Sequence, residues 1–365
     1  MKDPDPRPGV PDQPGGANAR RSWSGIWLLL ASVIVAILIS ELLIRTLFPQ
    51  ELTPLGGWAS CCGDFFEPDP QYGWMARPGY RGEYVHDTQV AINSLGLRDH
   101  EYGPKRNDEI RILSLGDSFA FGFGVELEED YAKMLENMLR KRFPTVEISV
   151  INGGLAAYNS HHVIMEFDRL QPLLDPDFVI AAFVAGNDVA DNPVFDEQLE
   201  QWLQSPVGFL GRHSHLFRLI LRSTFAPRYF AANRSKKNIE YTNGLLDDLD
   251  ADVHRANLPL AILIIPARHQ VRPSVNPGTA LLDRLGAQGY ILRQNNMVRE
   301  HLETTGVPYV DTYPALAERD SIDAVFFDDD PHTNALGYRI IAEATYEAIL
   351  PTIEKLVEER TAVSP

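Results

Sequence analysis

The 365 residues are 44% hydrophobic and 23% charged, which is apolar mass enough for a sizeable core and excludes a wholly disordered chain or a disulfide-stapled mini-domain. Lys and Arg total 33 against 50 Asp and Glu, a formal net charge of −17. Nucleic-acid binding neutralises phosphates with clustered cations, so no nucleic-acid partner is expected, and the acidic excess argues against broad adhesion to anionic lipid.

Residues 1–24 are rich in Pro and Gly with mixed charge, and they read as a disordered cytoplasmic tail. Residues 25–48 follow as an apolar run of the length a bilayer-spanning helix needs, with Trp23 and Trp27 at its start, where indoles favour headgroups. Glu41 and Arg45 interrupt its second half one helical turn apart, so they share a face and can pair. The run leads into Ser40-Glu41-Leu42-Leu43 instead of a small-x-small cleavage site, which predicts an uncleaved anchor. Lys2, Arg7, Arg20 and Arg21 precede it, and no Lys or Arg lies between Pro49 and Tyr72. The positive-inside rule then puts the N-terminus in the cytoplasm and the rest outside, which in a bacterium is the periplasmic face of the inner membrane. Cys61 and Cys62 are adjacent and cannot bridge distant parts of a fold, so they read as two free thiols on a loop.

Residues 49–108 read as a stalk and a small β lead-in, with a short hairpin or two strands over Gly82–Ile92. From 109 to 353 short apolar runs alternate with amphipathic segments. The runs Ile110–Leu115, Val146–Ile151, Phe178–Val184, Leu260–Ile265 and Val307–Val310 are nearly continuous, as strands buried on both faces are. Helical patterns lie near 130–142, 161–171, 244–257 and 280–304, and a last one runs from Ala335 to Leu350. The alternation predicts an α/β fold, a parallel sheet with helices on both faces. Residues 191–243 break the pattern and read as an insertion or lid.

Three strand ends carry polar residues suited to chemistry. Ile112–Leu115 runs into Gly116-Asp117-Ser118, and ligand sites in open parallel sheets lie at carboxyl ends of strands. Taken alone, Asp117 or Ser118 reads equally as a helix N-cap. Phe183-Val184-Ala185 runs into Gly186-Asn187-Asp188, where an amide can donate to an oxyanion or simply shape a turn. Asp328-Asp329-Asp330-Pro331-His332 precedes the last helix. Asp329 is three before His332, a spacing that lets a carboxylate hold one ring nitrogen while the other faces a serine. The alternatives there are a solvated acidic loop or a calcium loop, and calcium-loop spacing is absent. His161 and His162 lack ligand-spaced neighbours, no Walker-type loop occurs, and no metal or cofactor is expected. Phe119, Phe121 and Phe123 read as packing beside the site.

Gly116-Asp117-Ser118, Gly186-Asn187-Asp188 and Asp329-x-x-His332, in this order and strand context, resemble the SGNH (GDSL-type) hydrolase superfamily over roughly residues 110–350. The segment Ile92-Asn93-Ser94-Leu95-Gly96-Leu97-Arg98-Asp99 is similar to its membrane-anchored bacterial members. The resemblance implies a flavodoxin-like three-layer α/β/α domain with Ser118 as nucleophile, His332 as base and Asp329 as its orienter. It implies Asn187 and the Ser118 N–H as oxyanion donors. The family places a Gly five residues after the Asn of its second block, where this chain has Ala157 after Asn152. Ala157 keeps its N–H donor at φ < 0 and is penalised at φ > 0. In a different loop conformation Gly154 is the donor instead. Three functions stay open: a tethered esterase or O-acyl transferase acting on an ester-bearing carbohydrate or lipid; a catalytically silent accessory subunit docking a membrane-protein partner; and a lysophospholipase or thioesterase.

Overall fold

In the computed structural model the described residues are 17–48, 65–194, 206–275, 277–318, 325–328 and 330–363. Cys61, Cys62 and Asp329 lie outside them. One helix, Ala17–Leu47, opens the described chain, so residues 17–24 are helical and not part of an irregular tail. Its segment Gly25–Leu47 is long and apolar enough to cross a membrane, a test that a leader sequence also meets.

The central sheet is parallel. Its strands are β5 (Glu109–Gly116), β6 (Glu147–Gly154), β7 (Phe178–Val184), β8 (Leu260–Ile265) and β9 (Tyr309–Asp311), in the order β6-β5-β7-β8-β9. β5, β7 and β8 are buried throughout, which is why their sequences are apolar runs without alternation. Successive residues still point to opposite faces. Ile110 and Ile112 belong to one apolar cluster with residues of the helices Tyr131–Arg142 and Ala335–Val363, whereas Leu113 and Leu115 belong to another with residues of Ser160–Leu174, Lys236–Arg255 and Arg293–Thr305. The architecture is therefore three layers, α/β/α, with the strand order of flavodoxin-like sheets. The register pairs Gly116 with Gly154 and Val184 with Ile265, so the carboxyl ends of four strands share one rim.

Three elements depart from the sequence pattern. The pattern over 280–304 is broken into Pro277–Arg284, Gln288–Ile291 and Arg293–Thr305, because Gly286 turns left-handed at φ 70° after the first piece. The last helix runs through Pro351 to Val363. The crossover helix already begins at Lys236; ahead of it the described part of the expected insertion holds the short 3-10 turn Asn192–Val194 and the helices Pro206–His213 and His215–Ala232.

The lead-in is two antiparallel hairpins. β1 (Phe66–Asp69) pairs with β2 (Gly73–Ala76), and β3 (Arg81–Glu83) pairs with β4 (Gln89–Ala91). Their aromatic residues Phe65, Tyr72, Trp74 and Tyr84 form a separate core with Phe121, Phe123 and Tyr158. Two buried polar side chains pin this layer to the domain. Arg98, 1% exposed, donates to the carbonyls of Phe121, Gly122 and Val125 behind the Ser118 helix. His162, fully buried, stacks on Tyr158 at 4.3 Å, donates from Nε2 to the Tyr72 carbonyl and accepts the Asn159 N–H at Nδ1.

Burial drives the His162 pKa down to about 3, against an ordinary histidine near 6.5. Its folded-state pKa is depressed. The stability this neutral ring contributes is therefore complete above pH 6.5 and is lost as pH falls toward 3, because only the unfolded chain takes up the proton. At pH 5 the loss is about 2 kcal/mol. Urea denaturation of wild type and His162→Gln between pH 7 and 4 measures it, since the difference cancels carboxylates titrating in the same window. A wild-type curve parallel to the variant's disproves the assignment.

Candidate active site

Ser118 stands where β5 ends. Asp117 caps the short helix Ser118–Phe121, its Oδ1 accepting the Phe119 N–H at 2.9 Å. The N-cap reading of Asp117 and the nucleophile reading of Ser118 are thus compatible. Gly154, at the end of β6, lies so close to that helix that a Cβ there would sit 2.5 Å from the Ala120 Cβ and 2.6 Å from the Phe121 nitrogen.

His332 comes from the loop before the last helix. That loop is fixed by a bridge between Phe326 and Thr333, by the Phe327 N–H donating to the His332 carbonyl, and by Asn334 accepting the N–H groups of Leu336 and Gly337. The ring stacks on Phe123 at 4.0 Å and leans on Phe119 at 4.7 Å. Nε2 lies 2.7 Å from the Ser118 Oγ. At Nδ1 the partner is Asp330 Oδ1, 2.5 Å away, which also accepts the His332 backbone N–H at 2.8 Å.

This corrects the expected orienter. Nδ1 holds a single hydrogen, and Asp330 takes it; Asp329, outside the described residues, is not needed for that bond. A carboxylate two residues before the ring closes on both the backbone and the ring nitrogen, a turn that Asp favours. An ionised carboxylate only accepts, so Nδ1 carries the proton, Nε2 is the lone-pair nitrogen, and the Ser118 hydroxyl donates to it. Burial works to raise the Asp330 pKa, but hydrogen bonds and charge from His332, with a contribution from His86, hold it below the ordinary carboxylate range. His86 reaches the rim from the lead-in, stacked at 4.0 Å on Phe327.

The residues expected on the oxyanion side are tied to Asp117. Its Oδ2 accepts from the Asn187 amide at 2.9 Å, which fixes that side chain at the end of β7 and leaves it one further N–H. Asn233, 2% exposed, holds the same turn by donating to the Gly186 carbonyl at 2.7 Å and accepting the Ala190 N–H. Asp188, also buried, accepts the Val184 N–H with one oxygen and has no partner for the other among the described residues. Burial, then the charge of Asp117, push its pKa well above that of an ordinary aspartate. Asn233 was not singled out in the sequence. It lies far along the chain in a basic, aromatic stretch, and only its burial reveals it.

The two backbone candidates separate. The Gly154 N–H is spent on the Asn152 side chain at 3.0 Å, so Gly154 is not the free donor. Neither the Ser118 nor the Ala157 N–H has an acceptor among the described residues. Ala157 adopts φ 67°, the left-handed region where a Cβ is penalised. Ala157→Gly is expected to stabilise the protein by about 1 kcal/mol in urea unfolding, through relief of that strain. An unchanged or lowered midpoint counts against the strain.

The sequence profile described as "GDSL-like Lipase/Acylhydrolase family" matches residues 114–340. No curated protein matches the chain. Solved structures similar to it include the acetyl xylan esterase Axe2 of Geobacillus stearothermophilus, at 14% identity over 66% of this chain and 94% of that one, TM-score 0.43. Another is the psychrotrophic esterase EstA of a Pseudoalteromonas species, at 16% over 67% and 98%, TM-score 0.40. A third is LAE5, an alpha/beta hydrolase enzyme from the metagenome of Lake Arreo, at 18% over 66% and 94%, TM-score 0.41.

Proposed function

The chain belongs to the GDSL-like lipase/acylhydrolase family, and from that premise we propose that it is a serine esterase or O-acyl transferase held to the inner membrane by Gly25–Leu47, its site facing the periplasm. The observation that carries the reading is the line of contacts Ser118 Oγ, His332 Nε2 and Nδ1, Asp330 Oδ1. A serine hydroxyl is a weak nucleophile until a base takes its proton, and this base is held by a carboxylate in the tautomer that can do so.

His332 Nε2 removes the Ser118 proton while Oγ bonds to the ester carbonyl carbon, and the carbonyl electrons move onto its oxygen. The Ser118 and Ala157 N–H groups and the second Asn187 amide hydrogen are the donors for that oxyanion. Collapse expels the alcohol, which leaves with the proton from Nε2. Water, deprotonated by the same nitrogen, then releases the acid; a sugar hydroxyl in place of water yields a transferred acyl group. The substrate class is an ester-bearing carbohydrate or lipid of the envelope.

Retention of the N-terminal helix has its own support. Glu41 and Arg45 pair at 3.1 Å, and the Glu41 carboxylate accepts from Ser214 Oγ and from the N–H groups of His215 and Leu216. A leader cut away would leave that helix end uncapped.

Hydrolysis of p-nitrophenyl acetate by the detergent-solubilised full chain tests the proposal. Wild type is expected to turn over and Ser118→Ala to lose nearly all activity. Equal rates discard the esterase and leave the accessory-subunit reading. A longer-acyl series assigns a lysophospholipase or thioesterase if palmitoyl esters outrun acetyl ones.

A further inference from the structure

The chain's negative total hides one stretch of opposite sign. Residues 206–232 hold Arg212, Arg218, Arg222 and Arg228 and no Asp or Glu, in a protein of net charge −17. They form the helices Pro206–His213 and His215–Ala232, meeting at Ser214. Large apolar side chains stand out from this pair: Phe209 is 55% exposed, Leu210 45%, Leu219 41% and Ile220 49%. A helix that joins arginines to exposed apolar residues suits the boundary between headgroups and acyl chains.

Its location agrees. The corner at Ser214 is bonded to the outer end of the N-terminal helix. Glu41 caps the second helix at 2.8–2.9 Å, and Arg45 donates to the His213 carbonyl at the end of the first at 2.9 Å. The 23 residues Gly25–Leu47 make a helix of about 34 Å against a hydrocarbon core of about 30 Å. Glu41 and Arg45, in its last two turns, therefore fall near the interface. The Pro206–Ala232 pair is anchored at the depth where its composition is most favourable, and it runs directly into Asn233, which holds the turn carrying Asn187.

We propose that the Pro206–Ala232 helix pair is a second membrane contact, lying on anionic lipid headgroups beside the transmembrane helix. The proposal rests on the anchored reading above. The occupant is a lipid surface and not a protein because the pair is continuous with a segment that itself enters lipid, and because its arginines complement anionic headgroups.

The experiment uses the full chain with Cys61→Ser and Cys62→Ser, one chain per nanodisc, and a nitrobenzoxadiazole probe on Leu219→Cys. Leu173→Cys, exposed at the far end of the helix Ser160–Leu174, is the reference. Discs contain phosphatidylcholine with or without phosphatidylglycerol, plus a lipid bearing a nitroxide near the headgroup. The Leu219 probe is expected to be quenched severalfold more than the Leu173 probe in phosphatidylglycerol discs, and Arg218→Glu with Arg222→Glu is expected to abolish the excess. Quenching at the reference level, or quenching indifferent to phosphatidylglycerol, overturns the proposal. A blue shift without quenching that appears only at several chains per disc assigns the face to a second copy and also overturns it. Resistance of the full chain to alkaline extraction from membranes reports on the anchor separately, so loss of the anchor and loss of the surface contact are distinguishable.

Discussion

Asp330→Asn is expected to lower kcat for a short-chain ester by about 10⁴-fold, whereas Asp329→Asn leaves it near wild type. The size follows from what the carboxylate does. Asp330 Oδ1 sits 2.5 Å from Nδ1 and 2.8 Å from the His332 backbone nitrogen, so it sets both the ring's orientation and its tautomer. An amide at 330 can offer an N–H to Nδ1, which moves the ring proton to Nε2 and removes the lone pair that Ser118 needs. Because hydrogen bonding and charge from His332 offset burial and hold the Asp330 carboxyl below the ordinary range, it stays ionised well below neutral pH. The pair of variants is decisive: activity lost with Asp329→Asn and kept with Asp330→Asn returns the orienter to the position three before the histidine.

That contrast shows where sequence reasoning stops. The rim was legible because an apolar run ending in Gly and polar residues is what a buried parallel strand must do when it reaches solvent, and β5 and β7 obey it. The choice within Asp328-Asp329-Asp330 was not, since spacing alone does not give the conformation of a loop containing Pro331. Ala157 is similar: the motif pointed to the position, but an alanine at φ 67° goes against the local preference and is imposed by the surrounding loop. Gly154 was ruled out by the side chain two residues earlier, a contact no spacing rule supplies. The Glu41–Arg45 pair followed from helical periodicity. Its grip on residues 213–216 is a contact across more than 160 positions, and nothing local announces it. Arg98 and Asp99 stood out only as part of a motif, and the structure gives them a physical reason, as buried charges that fasten the lead-in.

Lys133→Met is expected to cost about 3–5 kcal/mol, the range for removing one partner of a buried ion pair. Its ammonium, 1% exposed, lies 2.7 Å from Asp99 and 3.3 Å from Glu136, and donates to the Val150 carbonyl at 2.7 Å. Burial opposes its charge, but Asp99, Tyr102 and Glu136 outweigh that and raise its pKa above the ordinary lysine value. The cluster is a junction: Asp99 belongs to the lead-in and accepts the Asn152 N–H of β6, while Asn152 bonds Asp130 through its amide and Gly154 through its oxygen. Methionine leaves Asp99 buried without its cation, while Glu136 keeps Arg140 at 3.1 Å, and the melting temperature is expected to fall by roughly 10 °C. Adding Asp99→Asn removes the stranded charge, so the double variant is expected to lose less than the two single losses combined. Single changes that shift the melting temperature by only a degree or so, or losses that simply add, would mean that water reaches the pair and that the lead-in is fastened by its aromatic core and Arg98 alone.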